Sequence, residues 1–181
     1  MERAAAGFTL FDTAIGRCGV AWNERGVAFV QLPESNVEEA RARLRRSSRG
    51  APEAAPPPDV ASAIAGMTAL LGGAPIDLRD VRIDLSSAPA FHQRVYEVTR
   101  AIPPGRTRTY GEIAIELGDL SVSRAVGQAL GQNPTPLIVP CHRVLAAAGK
   151  PGGFSARGGV ALKRELLTIE GALPRIGVLD F

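Results

Sequence analysis

Apolar positions run at strand spacing through the first third of the chain and at helical spacing after that. Residues 8–13, 17–22 and 26–32 are rich in Val, Phe and Trp and read as strands, with Asn23-Glu24-Arg25-Gly26 turning the last two into a hairpin. Residues 36–46 read as a helix with a charged Glu/Arg face, capped by Ser35 or Asn36. Residues 47–58 are a Ser/Ala/Pro stretch without period, expected to form a mobile loop. Asp59 is placed to cap a second helix that reaches Leu71 and stops at Gly72-Gly73. Residues 81–85 read as a further strand, and 86–89 as a linker.

Beyond the linker, Phe91, Val95, Val98 and Ile102 recur at helical spacing until Pro103-Pro104-Gly105 stops the helix. Thr109-Tyr110-Gly111-Glu112 has the form of a capping box and opens a helix over 110–117. Gly118 gives a tight turn, and a second helix runs from near 121 to about 132. Two short helices on so short a turn are a helix-turn-helix, a unit found both with and without DNA-binding roles. The second helix is built from small residues, Ser121, Ser123, Ala125, Gly127 and Ala129, with Arg124 as its one long side chain near the start. Small side chains let a helix approach another surface closely, whether a neighbouring helix or a ligand.

The richest chemistry lies in Ile138-Val139-Pro140-Cys141-His142-Arg143-Val144-Leu145. Apolar residues flank a thiol, an imidazole and a guanidinium, which reads as a short extended segment driven inward. Pro140 removes a backbone donor and fixes a bend before the cysteine. A thiol is a strong nucleophile only as thiolate, which needs a proton acceptor or a positive charge nearby. His142 and Arg143 are the adjacent suppliers. In an extended segment Cys141 and His142 point to opposite sides, so direct contact is not expected, and a bridging water would resolve this. Residues 149–159 are glycine-rich without the Gly-Lys-Ser/Thr ending of a phosphate loop, and suit a pocket wall better. A last helix covers 160–170, and Glu170 falls on the same face as Leu166 and Leu167. A carboxylate there, at the negative end of a helix, needs a cationic or imidazole partner or an escape to solvent.

Composition narrows the setting. A chain of 181 residues with 45% hydrophobic residues can bury a core as one large domain or two small ones, and no apolar run approaches a membrane span. The start, Met1 to Gly7, has no signal-like apolar segment, and two cysteines suggest no disulfide framework. Both point to a cytoplasmic protein. Two Cys and two His at no ligand-like spacing argue against a zinc site. Net charge is only +3, but 1–90 carry 10 Lys+Arg against 11 Asp+Glu, while 91–181 carry 11 against 7. The basic half is the one that phosphate contacts would need.

From Phe91 to Gly171 the chain resembles the O6-alkylguanine-DNA alkyltransferases (methylated-DNA–protein-cysteine methyltransferases). The motifs are Thr109-Tyr110-Gly111-Glu112-Ile113-Ala114, Ser123-Arg124-Ala125-Val126-Gly127, Gln132-Asn133-Pro134, Pro140-Cys141-His142-Arg143-Val144 and Ile169-Glu170-Gly171. Residues 1–90 resemble the family only loosely. The resemblance implies an α/β fold: a ribonuclease-H-like sheet-plus-helix domain over 1–88, then a mostly helical, winged helix-turn-helix-type domain over 89–181. It implies a DNA-repair protein that takes an alkyl group from O6 of guanine, and in some cases O4 of thymine, onto Cys141 once and irreversibly. His142, polarised by Glu170, is then the base. Tyr110 assists the leaving purine and the flipping of the base. Arg124 is the finger that fills the gap, with Ser123, Ala125 and Gly127 against a minor groove only about 6 Å wide. Asn133 ties down the segment before the cysteine, and Val144, Phe154 and Ser155 line the base pocket. Phe154 stands where many relatives have tyrosine, and the loop after Ser155 is longer than theirs. No cofactor or metal is implied; the partner is double-stranded DNA bearing O6-alkylguanine, bound by a monomer with no membrane. Three other readings stay in view. A non-catalytic binder of damaged DNA leaves Cys141 idle, a Cys-His hydrolase needs an oxyanion hole, and a plain helix-turn-helix regulator leaves Glu170 unexplained.

Overall fold

The computed structural model describes residues 6–173, an α/β arrangement with one small antiparallel sheet, a two-stranded pair and six α-helices among those residues. Strands β1 (Gly7–Thr13), β2 (Gly16–Asn23) and β3 (Gly26–Gln31) form a meander in the order β1-β2-β3. Alternation along β2 decides the two faces. Cys18, Val20 and Trp22 point into the main core, while Ala21 joins Phe8 and Leu44 on the other side. That second face is covered by α1 (Val37–Ser47), capped by the Asn36 side chain on Glu39 N–H at 2.9 Å. Gly19 is what lets α1 lie so close, since a Cβ there would stand 2.4 Å from Leu44 Cδ1. Helix α2 (Pro58–Leu71) closes the opposite face.

Three expectations for this half need correction. Residues 47–58 are pinned, not loose: Phe8 N–H donates to Pro52 O and Ala54 N–H to Phe8 O, each at 3.0 Å, so the stretch satisfies the free edge of β1. Asp59 does not cap α2, whose N-cap is Pro57 with Pro58 next. Asp59 lies in the first turn, where its charge still suits the helix dipole, and pairs with Arg82 at 3.1 Å. Residues 81–85 form no strand. Only Ile83 bridges β3, at Val27, because Asp84 Oδ1 then accepts Ser86 N–H at 3.0 Å and turns the chain away.

The second half is helical: α3 (Ala90–Arg100), α4 (Tyr110–Glu116), α5 (Ser123–Gly131) and α6 (Gly159–Ile169). The short strand β4 (Arg108–Thr109) pairs in parallel with β5 (Val144–Leu145). The capping box at α4 is formed, with Thr109 Oγ1 accepting Glu112 N–H at 3.1 Å and Glu112 Oε2 accepting Thr109 N–H at 2.7 Å. The next helix starts two residues later than expected. Asp119 accepts Ser121 N–H and winds 120–122 into a tighter 3-10 turn first. Val95, Ile113, Val126, Ala129, Val139 and Val144 make the core of this half. The main core is shared, because Leu137, Ile138, Leu162 and Leu166 pack among Val20, Trp22, Val30 and Met67. Among the described residues no helix is long and apolar enough to cross a membrane.

Candidate active site

Pro140 sets the thiol's position. Its backbone (φ −79°, ψ 67°) ends the buried run before it, and Arg143 N–H closes onto its carbonyl at 2.9 Å. Cys141–Arg143 is therefore a 3-10 turn, not the extended segment expected from the sequence. Fully buried Val139 and Val144 pull both flanks inward, and a tight turn is how the chain between them pairs its backbone groups. With three residues per turn, Cys141 and His142 still point apart.

Behind the turn lies a buried ionic cluster. His142 and Glu170 have side chains 1% and 3% exposed and meet through Nε2 and Oε1 at 2.7 Å. Arg143 donates from Nε to Oε2 and from Nη2 to Oε1 of the same carboxylate, both at 2.8 Å, and from Nη1 to Ile102 O at 2.7 Å. Burial would raise the Glu170 pKa, but the hydrogen bonds from His142 and Arg143 and their charges outweigh it and bring it to about 2. A carboxylate so held can only accept, which assigns the imidazole proton to Nε2. Burial also lowers the His142 pKa against the pull of Glu170, so the ring is neutral and its basic lone pair is on Nδ1. That buried atom meets no protein partner among the described residues.

The sequence reading missed Lys163. It is 1% exposed and donates from Nζ to Val144 O at 2.6 Å and to Gly153 O at 3.3 Å, with Nζ 5.7 Å from the centre of the Tyr110 ring. Burial lowers its pKa to about 8, opposed by the charge of Cys141. Burial raises the Cys141 thiol pKa, opposed by a hydrogen bond from Asn133, the charge of Lys163 and the backbone N–H groups of Cys141 and His142. The cation whose charge acts on the thiol is thus Lys163, while Arg143 is turned to Glu170. The signal was available: 163, 166, 167 and 170 share one face of α6, so two charged residues stand on its apolar side.

Cys141 opens onto a cavity of about 860 Å³ between α4, α5 and the glycine-rich loop. Tyr110, Ser123, Arg124 and Gly127 line one side, Phe154 and Ser155 the other. Arg124 is exposed, and Gly152 presses so close to Tyr110 that a Cβ would stand 3.0 Å from its ring. Five of the expected residues lie off this wall. His142 and Glu170 are behind it, and Ala125 is half-buried on α5. Val144 is wholly buried, and its carbonyl already accepts from Lys163, which leaves one lone pair. Asn133 lies on the far side of the cysteine, in a crevice of about 50 Å³ that Cys141 also lines. It donates from Nδ2 to Val139 O at 2.8 Å and accepts Thr135 N–H at 3.0 Å, which fixes the loop leading to the thiol. The described residues hold no group of three or more His, Cys, Asp or Glu side chains that could ligate a metal.

Residues 90–172 match the family model described as the DNA-binding domain of 6-O-methylguanine DNA methyltransferase. The methylated-DNA–protein-cysteine methyltransferase of Mycobacterium tuberculosis is 50% identical over 91 residues, 50% of this chain and 53% of the relative, so that match spans about half of the relative's length. The protein of the same name from Mycolicibacterium paratuberculosis is 40% identical over 159 residues, 88% of each chain. In three dimensions the chain is similar to Mycobacterium tuberculosis OGT solved in complex with DNA, with TM-score 0.73 and 32% identity, covering 92% of this chain and 93% of the other.

Proposed function

This chain belongs to the family of the methylated-DNA–protein-cysteine methyltransferases, and on that premise we propose that it repairs DNA by moving an alkyl group from O6 of guanine onto Cys141, once per molecule. The observation that supports this most is the thiol's position. It opens on a cavity large enough for a purine base, with Arg124 and Tyr110 at the rim and the His142–Glu170 pair behind.

The chemistry is a displacement at carbon. Nδ1 of neutral His142 takes the thiol proton through one water, since the two side chains point apart, and Glu170, held in place by Arg143, steadies the imidazolium that forms. Sγ attacks the alkyl carbon, the C–O6 bond breaks, and its electron pair leaves on the purine. Tyr110 donates a hydrogen bond to that purine, which ends with the proton the thiol lost. The charge of Lys163 offsets the negative charge on sulfur before the attack. The product is a thioether that no group in the site can hydrolyse, which makes the protein stoichiometric.

Double-stranded DNA is the partner in this reading, bound from the minor groove, with Arg124 in place of the extruded guanine and Ser123, Ala125 and Gly127 against the groove. Ser155 holds the base and Phe154 packs beside it, while Val144 stays buried behind the wall with its carbonyl on Lys163. The finer fold description, a ribonuclease-H-like first half and a winged helix-turn-helix-type second half in a cytoplasmic monomer, goes with the same reading. The meander β1-β2-β3 and the β4–β5 pair support it.

Intact-mass measurement after incubation with a duplex carrying one O6-methylguanine tests the proposal. The expected result is one methyl group per chain, on the peptide containing Cys141. Binding of that duplex with no mass gain would make the protein a non-catalytic damage binder instead.

A further inference from the structure

Large apolar side chains more than a third exposed are few among the described residues: Ile76, Ile115, Leu120 and Val160. Of these, Leu120 alone lines the cavity that holds Cys141, beside Tyr110, Ser123 and Arg124. It is 59% exposed, yet its backbone is firmly held. The Leu120 carbonyl accepts both the N–H of Ser123 and its hydroxyl, the latter at 2.7 Å, and the turn it begins is capped by Asp119. Its side chain rests over Gly111, where a Cβ would stand 3.3 Å from Leu120 Cδ1. A leucine fixed this way stands four residues before Arg124, at the cavity's edge and largely in solvent.

We infer that Leu120 is an apolar minor-groove contact, packing against the deoxyribose edges next to the place where Arg124 enters the duplex. This rests on the proposed reading of the cavity as the DNA-facing site. The sugar wall of the minor groove offers C–H surface and no charge, so a leucine gains there by leaving water. The contact is distinct from a phosphate contact in one measurable way. It releases no counterion, so it strengthens binding without steepening the salt dependence.

The test is duplex binding by Leu120→Ser and Leu120→Met across a range of salt, with calorimetry. Leu120→Ser should weaken binding by about tenfold at every salt concentration, from the apolar surface left in water. The slope of log K against log salt should stay as in the wild type, and the heat-capacity change of binding should become less negative. Leu120→Met, which keeps apolar bulk, should bind within about twofold. Unchanged affinity of Leu120→Ser overturns the inference, and so does a salt slope that falls by about one, which would mean a lost phosphate contact. Failure of the proposed function shows elsewhere, as a wild-type chain that binds duplex but gains no methyl group.

Discussion

Arg143 grips Glu170 at two points, Nε to Oε2 and Nη2 to Oε1, both 2.8 Å, and the same carboxylate accepts a further hydrogen bond from His142 Nε2 at 2.7 Å. The adjacent side chains of one turn therefore converge on a single acid 27 and 28 residues further on, although Cys141 beside them faces the other way. The arrangement makes the imidazole's tautomer a property of the fold.

Cys141→Ser should abolish alkyl transfer while duplex affinity stays within about threefold, because thiolate chemistry and backbone contacts are separate contributions. Transfer at the wild-type rate to another residue, such as buried Cys18, would remove Cys141 as the nucleophile.

Glu170→Gln should slow transfer by at least about tenfold, as general-base help is worth about 10²–10⁴-fold and here the base is weakened, not deleted. The Cys141 thiol should also titrate at higher pH. An iodoacetamide-reactivity titration that does not move would disprove the polarisation of His142 by Glu170.

The same carboxylate makes stability depend on acid. Its folded pKa of about 2 lies below its ordinary 4.5. The unfolded chain therefore takes up the proton first as pH falls, and stability is lost. The contribution is complete above pH 4.5, on the order of 3 kcal/mol, and disappears as pH drops through about 2. Urea unfolding of the wild type and Glu170→Gln should differ most at neutral pH and converge toward pH 2. A constant difference would show that the pair contributes nothing through ionisation.

Lys163→Met keeps most of the unbranched apolar stem and removes the charge. The thiol pKa should rise and transfer at neutral pH should slow, both visible in the reactivity titration of Cys141. A slower transfer with an unmoved thiol titration would reduce Lys163 to a tether between Val144 O and Gly153 O.

Arg124→Ala separates flipping from chemistry. If the guanidinium fills the gap left by the base, single-turnover transfer from saturating duplex should fall by on the order of 100-fold, a few kcal/mol of lost help in unstacking. Transfer from free O6-benzylguanine, which needs no flipping, should barely change. A bound-state rate equal to wild type, with only the salt slope reduced by about one, would leave Arg124 as a phosphate contact.

Periodicity and short motifs made much of this legible. The Thr109–Glu112 capping box and the strand hairpin follow from local rules, and Glu170 was visible as a charge on the apolar side of α6. Lys163 was visible by the same rule but went unread, since a lysine is ordinarily taken to reach solvent along its aliphatic stem. What local rules cannot carry is partnership across distance. The tether of 47–58 depends on Phe8, the single bridge at Ile83 on Val27, and the turning of Arg143 toward Glu170 rather than the thiol on a helix that comes later in the chain. The turn at Cys141 also escaped, because an apolar run around a proline looks the same whether it continues straight or doubles back.

The main core takes Leu137, Ile138, Leu162 and Leu166 from one half of the chain and Val20, Trp22, Val30 and Met67 from the other, and Val30 N–H donates to Pro134 O at 2.9 Å beside them. Scission at 86–89 would therefore strip neither fragment of its own motifs but would wet one apolar face on each. The fragment that keeps Cys141 would lose the sheet edge that steadies the loop running from Asn133 to the thiol. Two such pieces made in one cell have complementary faces, and the ability to take up an alkyl group would return with their reassembly. That makes the chain a natural substrate for a split reporter whose readout is a permanent covalent mark.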